Sequence, residues 1–168
     1  QLPQTEWEAF FSTYENAPYK GVRLNTLKGG RDELKALIPF LEEQVEWEQN
    51  GFYTKEEKLG ASPLHFAGLF YVQEPSAMSA VTVLSPKKGE RVLDMCAAPG
   101  GKSTHYATLV GERGLVVANE INRSRAAVLA DNARKWGLGN MVVTCNDSAR
   151  VATFEEWFDV VAVDAPCS

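Results

Sequence analysis

From Gln73 onward the sequence alternates short apolar runs with longer amphipathic ones, and this rhythm constrains the fold more than any other feature. Residues 91–95, 115–119, 141–145 and 159–163 are apolar and rich in Val, and predict strands. Residues 75–84 (Pro at the start), 101–110 and 122–136 (closed by Gly137) predict helices. Parallel strands need a helical crossover, so strand alternating with helix predicts an α/β chain with a parallel, doubly wound sheet. Four strands are present and the sequence stops just past the end of the fourth. A domain boundary there would leave an edge uncovered, so the sheet is expected to be incomplete at the C-terminus and the chain to be a piece of a longer enzyme.

The first 72 residues read differently. Residues 5–14 predict an amphipathic helix, with Trp7, Phe10, Phe11 and Tyr14 on one side as core residues. Gly29-Gly30 is a break. Residues 31–41 predict a second helix with Leu34, Leu37, Ile38 and Leu41 facing inward, ended or kinked by Pro39. Residues 45–47 suggest a short strand, followed by a turn at Gln49-Asn50-Gly51. The expected organisation is a small α+β N-terminal domain over residues 1–72 and the sheet domain over 73–168.

Composition narrows the classes. No apolar run approaches the roughly 18 residues of a membrane span. The three cysteines are odd in number and lack metal-ligand spacing, which points to no metal and to a reducing, cytoplasmic setting. Cys145 reads as a core thiol, and His65 and His105 as satisfied surface or helix histidines rather than catalysts. The formal net charge of −5 argues against a surface whose main task is to grip phosphates.

The chemistry concentrates at the predicted carboxyl ends of the strands, where open parallel sheets bind ligands. The first strand runs into Cys96-Ala97-Ala98-Pro99-Gly100-Gly101-Lys102, a turn of small residues opening a helix, which lets a ligand approach the backbone and the helix N-terminus. Glu120 lies about 20 residues further on, where an acid accepts from both ribose hydroxyls. Asp147 follows the third strand and is placed for an adenine amino group, or else to cap the segment 148–150. Asp164 follows the fourth and leads to Ala165-Pro166-Cys167. A nicotinamide site would need Gly-x-Gly-x-x-Gly, which is absent. A nucleoside-triphosphate loop matches at Gly101-Lys102-Ser103, but Cys96 occupies its first glycine and Pro99 removes a phosphate-binding N–H. S-adenosylmethionine has no phosphates and fits the turn without those features. A non-catalytic binding module is the reading from outside enzymology.

The stretches Asp94 to Lys102 and Asp164-Ala-Pro-Cys-Ser168, with Arg23-Leu-Asn-Thr-Leu-Lys28 and Gly68 to Met78, resemble the NOL/NOP/Sun family of RNA cytosine-5 methyltransferases. Within it, the chain is most similar to the bacterial type acting on small-subunit ribosomal RNA. The resemblance spans nearly the whole chain and implies a Rossmann-like class I methyltransferase fold. It also implies S-adenosylmethionine at Cys96 through Lys102, Glu120 on the ribose, Asp147 on the adenine, and Asp164 bordering both the methionine and the target base. The implied partner is structured RNA, with no membrane association and a monomeric chain.

In such a reaction a thiolate adds to carbon 6 of cytosine, making carbon 5 nucleophilic enough to take the methyl group. A base then removes the hydrogen on carbon 5 and the thiol departs. The target base must first leave its stack. Asp164 is expected to hydrogen-bond the cytosine and stabilise developing charge. In the family resembled, the cysteine at the place of Cys167 assists product release and the attacking cysteine belongs to a later motif not contained in these 168 residues; the alternatives are that Cys167 is itself the nucleophile or is an inert thiol at the strand end. The chain alone is accordingly expected not to methylate RNA. Arg23, Lys28 and Arg31 are candidates for RNA contact in the N-terminal region.

Overall fold

A computed structural model of the chain describes residues 3–151 and 153–165. Strands β1 (Lys20–Leu24), β2 (Gly51–Thr54) and β3 (Phe70–Val72) form an antiparallel sheet in the order β2-β1-β3. Side chains alternate along β1. Val22 and Leu24 enter an apolar cluster with Leu34, Ile38, Phe52, Leu59 and Phe70. Arg23 faces the other way, into the seam with the second half of the chain. None of these three strands was expected from the sequence, and the predicted 45–47 strand does not form; the nearest pairing is a single bridge from Gln44 to Phe52.

Helix α1 (Trp7–Ser12) is short and flanked by 3₁₀ turns. Its aromatic residues are not core. Trp7, Phe10, Phe11 and Tyr14 are 49%, 42%, 61% and 75% exposed, and Phe10 packs edge-on against Phe11 and Tyr14. Helix α2 (Arg31–Leu37) stops at Ile38, whose backbone is extended. A residue preceding proline is driven out of the helical region, so Pro39 ends the helix rather than kinking it. Leu37 consequently stays exposed, while Leu34 and Ile38 are buried. The four-residue α3 (Pro63–Phe66) starts at Ser62, whose hydroxyl accepts from the Leu64 N–H.

The second sheet contains β4 (Arg91–Asp94), β5 (Leu115–Asn119), β6 (Met141–Thr144) and β7 (Val160–Ala162), all parallel, in the order β6-β5-β4-β7. Helices α4 (Pro75–Leu84), α5 (Gly101–Val110) and α6 (Arg123–Trp136) contribute Val81, Tyr106, Ala107, Val110 and Leu129 to one cluster with Val92, Val116, Ala118 and Ala162. Asn122 caps α6 at its start, its side-chain oxygen accepting from Ser124 and Arg125, and Gly137 ends it in the left-handed region.

Strand order runs outward from β4 to β6 and then reverses to β7. Right-handed crossovers therefore place α5 and α6 on one face and the β6–β7 link, containing α7 (Ser148–Val151), on the other. There Phe154, Trp157 and Phe158 line a groove with Val117 and Val142. Cys145 lies past the end of the edge strand β6 and is exposed, not a core thiol.

The two sheets meet through α4 and through the segment Arg23 to Lys28. A Cβ on Gly51 would lie 2.7 Å from Met78 Sδ, so only glycine lets α4 approach β2 this closely. Asn25 Nδ2 donates to Gly68 O and Trp136 O, both at 2.8 Å. Lys28 Nζ donates to Ala67 O and Lys135 O, both at 2.6 Å. These donors satisfy the last carbonyls of α6. Arg31 bonds to Gln49 O and Gln44. Arg23 is 1% exposed. Two of the three RNA-contact candidates, Arg23 and Lys28, are thus committed to holding the halves together, and Arg31 to bracing its own loop.

Candidate functional site

The reversal of strand order between β4 and β7 opens a crevice beyond the carboxyl ends of the strands, where neighbouring connections diverge to opposite faces. A cavity of about 700 Å³ lies there. Its walls include Asp94, the turn from Cys96 to Pro99, Gly101 and Lys102, then Glu120 and Ile121 after β5, Asn146 and Ser148 after β6, and Asp164 after β7.

The turn after β4 is pinned from all sides. Met95 N–H donates to Ala162 O at 3.0 Å and Ala97 N–H to Asn119 O at 2.9 Å, tying it to both neighbouring strands. Arg125 donates to Ala98 O at 3.0 Å. Asn132 and the Tyr71 hydroxyl donate to Pro99 O at 2.8 and 3.1 Å. The Ala98–Pro99 peptide is cis, and Gly100 caps α5 at φ 113°. A Cβ on Gly100 would stand 3.0 Å from Leu129 Cδ1, so this position requires glycine in both conformation and space. Asn119, 2% exposed, joins three strand ends. Its amide donates to Asn146 O and accepts from Thr144 Oγ1 and Asn146 N–H.

Carboxylates dominate the walls. Asp94 is 2% exposed, and its Oδ2 accepts from Ser103 Oγ at 2.6 Å. Burial raises its pKa, and the Ser103 hydroxyl and the Cys96 N–H only partly offset this. Glu120 is 3% exposed. Its Oε1 accepts from Asn122 N–H at 3.0 Å and its Oε2 lies 3.6 Å from Arg125 Nη1. Lys102 Nζ pairs with Asp164 Oδ2 at 2.8 Å. Burial, Asp94, Glu120 and Asp164 all push the Cys96 thiol up, which makes it a protonated wall group rather than a nucleophile.

The sequence-derived residues thus converge, with two differences. Asp147 is exposed and its Oδ1 accepts from Arg150 N–H at 3.2 Å, so it caps α7 while its neighbours Asn146 and Ser148 line the cavity. Gly100 is buried behind the turn. Cys167 lies outside the described residues. Among the residues of the site not expected from the sequence are Asp94, the buried Asn119, and Arg125, whose guanidinium reaches the turn from α6.

The nucleoside-triphosphate alternative fails on these contacts. A triphosphate would need the Lys102 ammonium and the Ser103 hydroxyl, which are held by Asp164 and Asp94. It would also face three carboxylates. An acid-lined cavity instead suits a ligand with cationic groups and a hydroxyl-rich sugar.

Both halves of the chain are similar to known proteins. Residues 81–168 match the family profile described as 16S rRNA methyltransferase RsmB/F, and residues 1–75 match the N-terminal domain of 16S rRNA methyltransferase RsmF. The chain is 38% identical over 174 residues to the ribosomal RNA small subunit methyltransferase F of Enterobacter sp. (strain 638), covering 96% of this chain and 36% of that protein. It is 41% identical over 152 residues to a tRNA (cytosine(49)-C(5))-methyltransferase of Pyrococcus abyssi, covering 88% of this chain and 49% of that one. The chain therefore spans between about a third and a half of these relatives' lengths. The crystal structure of a methyltransferase homolog from Pyrococcus horikoshii superposes with a TM-score of 0.84 at 31% identity, over 94% of this chain and 53% of that one. By its sequence across both halves, and by the fold that those halves build, the chain belongs to the RsmB/F family of 16S rRNA methyltransferases.

Proposed function

We propose that this chain forms the S-adenosylmethionine-binding part of an RNA cytosine-5 methyltransferase acting on small-subunit ribosomal RNA. The acid-lined crevice carries the reading. Bound there, S-adenosylmethionine would supply an electrophilic methyl group on a cationic sulfur. The residues present fit it. Glu120 is buried at the distance along the chain that suits a ribose diol, and its two oxygens are held in place by Asn122 N–H and Arg125. Asp147 uses one oxygen as a cap, which leaves the other to accept from an adenine amino group. Asp94 and Asp164 make the region near the turn favourable for cations. Asp164 stands at the outer edge, its side chain 65% exposed, where a cytosine flipped out of its stack would arrive.

The substrate assignment rests on kinship. The relatives that match 96% and 88% of this chain are a ribosomal and a transfer RNA methyltransferase by name. Among the described residues no helix is long and apolar enough to cross a membrane, and Cys96 and Cys145 are free thiols, as in a reducing cytoplasm.

Calorimetric titration of the chain with S-adenosylmethionine, and separately with ATP and magnesium, tests the cofactor. Saturable binding of the first and none of the second is expected. The reverse result refutes the reading.

A further inference from the structure

We infer that Gln73, immediately after β3, is a cofactor-binding residue that donates a hydrogen bond to the carboxylate of the cofactor's amino-acid tail, an inference that rests on S-adenosylmethionine as the ligand. Gln73 is 6% exposed and forms part of the cavity wall. Its Oε1 accepts from Arg23 Nε at 3.1 Å. A guanidinium only donates, so the carboxamide must turn its oxygen to Arg23 and its NH₂ group away. Arg23 is itself immobilised. Its Nη2 donates to Thr104 Oγ1 at 2.8 Å and to Gly101 O at 3.1 Å, and its guanidinium stacks 4.6 Å from the Trp136 ring. Gln73 Nε2 is buried and has no hydrogen-bond partner among the described residues. A buried amide donor without an acceptor is costly, and such groups in native proteins ordinarily have a reason.

Its position indicates the acceptor. A Cβ on Gly101 would lie 3.4 Å from Gln73 Nε2, which places the amide over the first turn of α5. The backbone N–H groups of that turn have no intrahelical acceptor, and the helix dipole is positive there. This corner therefore offers the Gln73 amide and backbone donors, while Asp94 and Asp164, which touch the same turn, are engaged by Ser103 and Lys102, and Glu120 lies on the wall after β5. S-adenosylmethionine has cationic sulfonium and ammonium groups and a single anionic one. Charge complementarity sends the cations to the acids and the carboxylate to the donor corner. Arg23 acts as a positioning residue: it reaches across from the antiparallel sheet and sets which end of the Gln73 amide faces the ligand.

The test is a cycle of two ligands and two variants of the 168-residue chain, read by calorimetry. The ligands are S-adenosylmethionine and its decarboxylated analogue. Gln73→Glu keeps the shape and the acceptor toward Arg23 but replaces the donor with a negative oxygen. Gln73→Met removes the donor without adding charge, and serves should the Glu variant fold poorly. The wild-type chain should prefer S-adenosylmethionine over the analogue by at least about ten-fold, and either variant should cut that preference several-fold, leaving only what the α5 N-terminus supplies. A purely structural role would weaken both ligands equally. An unchanged preference in a folded variant overturns the assignment to Gln73. A wild-type chain that binds neither ligand overturns the cofactor reading instead.

Discussion

Glu120 shows how one residue serves the fold and the site together. It sits at the end of β5, 3% exposed, with one oxygen on Asn122 N–H and the other near Arg125. The first contact shapes the entry into α6, and the second couples the carboxylate to the side chain that holds Ala98 O. Removing it should therefore have two effects that different substitutions separate. Glu120→Gln keeps an acceptor for Asn122 N–H but changes the acceptor proposed for ribose into a donor. Binding of S-adenosylmethionine should weaken about ten-fold, or ~1.4 kcal/mol, with little change in melting temperature. Glu120→Ala loses both contacts and leaves Arg125 only its bond to Ala98 O. Binding should weaken about a hundred-fold and stability should fall by about 1–2 kcal/mol. Calorimetry with thermal denaturation of the same samples checks both, and equal affinity in all three proteins would remove Glu120 from the site.

Elements in this chain hold each other through their ends. The α6 carbonyls of Lys135 and Trp136 are bonded by Lys28 and Asn25, two residues of the loop that follows β1. Asn25 is fully buried and also bonds Gly68 O. Asn25→Ala should strip two buried carbonyls of a donor and cost about 2–4 kcal/mol, visible as a lower urea midpoint. Lys28→Ala, nearer solvent, should cost less. A neutral Asn25→Ala would show that the two halves do not depend on this junction. The same junction explains what the sequence concealed. Strands β4 to β6 and helices α5 and α6 were legible because each is a regular apolar or amphipathic run with a recognisable start or stop, such as Asn122 and Gly137. β1 was not, because its fourth residue is an arginine whose partners are 50 to 81 positions away. α1 misled in the other direction. Its aromatic spacing is that of a core helix, yet in so short an element the rings pack largely against one another. At the site, Cys96 to Lys102, Glu120 and Asp164 were readable because strand ends converge in any parallel sheet. Gln73, Asn119 and Arg125 gain their roles only when remote segments meet.

At the scale of the whole molecule, the seam between the two sheets is polar as well as apolar, and that makes its stability depend on pH. His105 on α5 is 3% exposed, and its Nε2 lies 3.0 Å from Glu48 Oε2, contributed by the loop before β2. Burial, helped by the nearby Arg23 cation, pushes the His105 pKa down to about 4 against the opposing pull of Glu48. Burial works against the Glu48 carboxylate too, but the His105 hydrogen bond and charges outweigh it and hold that group below its usual range. The pair is thus a neutral imidazole donating to a carboxylate, with Arg23 as the permanent cation. An unfolded histidine titrates near 6.5. Between that value and about 4 the unfolded chain takes up a proton that the folded chain refuses, so the stability contributed by keeping His105 neutral is complete above pH 6.5 and declines as the pH falls. From pH 7 to pH 5 the expected loss from this group is about 2 kcal/mol. His65, also depressed by burial and by Lys135, adds a loss of the same sign, while the raised Asp94 opposes both at lower pH. Comparing urea denaturation of the wild-type chain with that of His105→Gln isolates the seam. The variant can still donate to Glu48 but cannot titrate, so its stability should fall by about 2 kcal/mol less between pH 7 and pH 5. Parallel pH profiles for the two proteins would mean that the seam admits the proton, and that the sheets are not sealed against each other at His105.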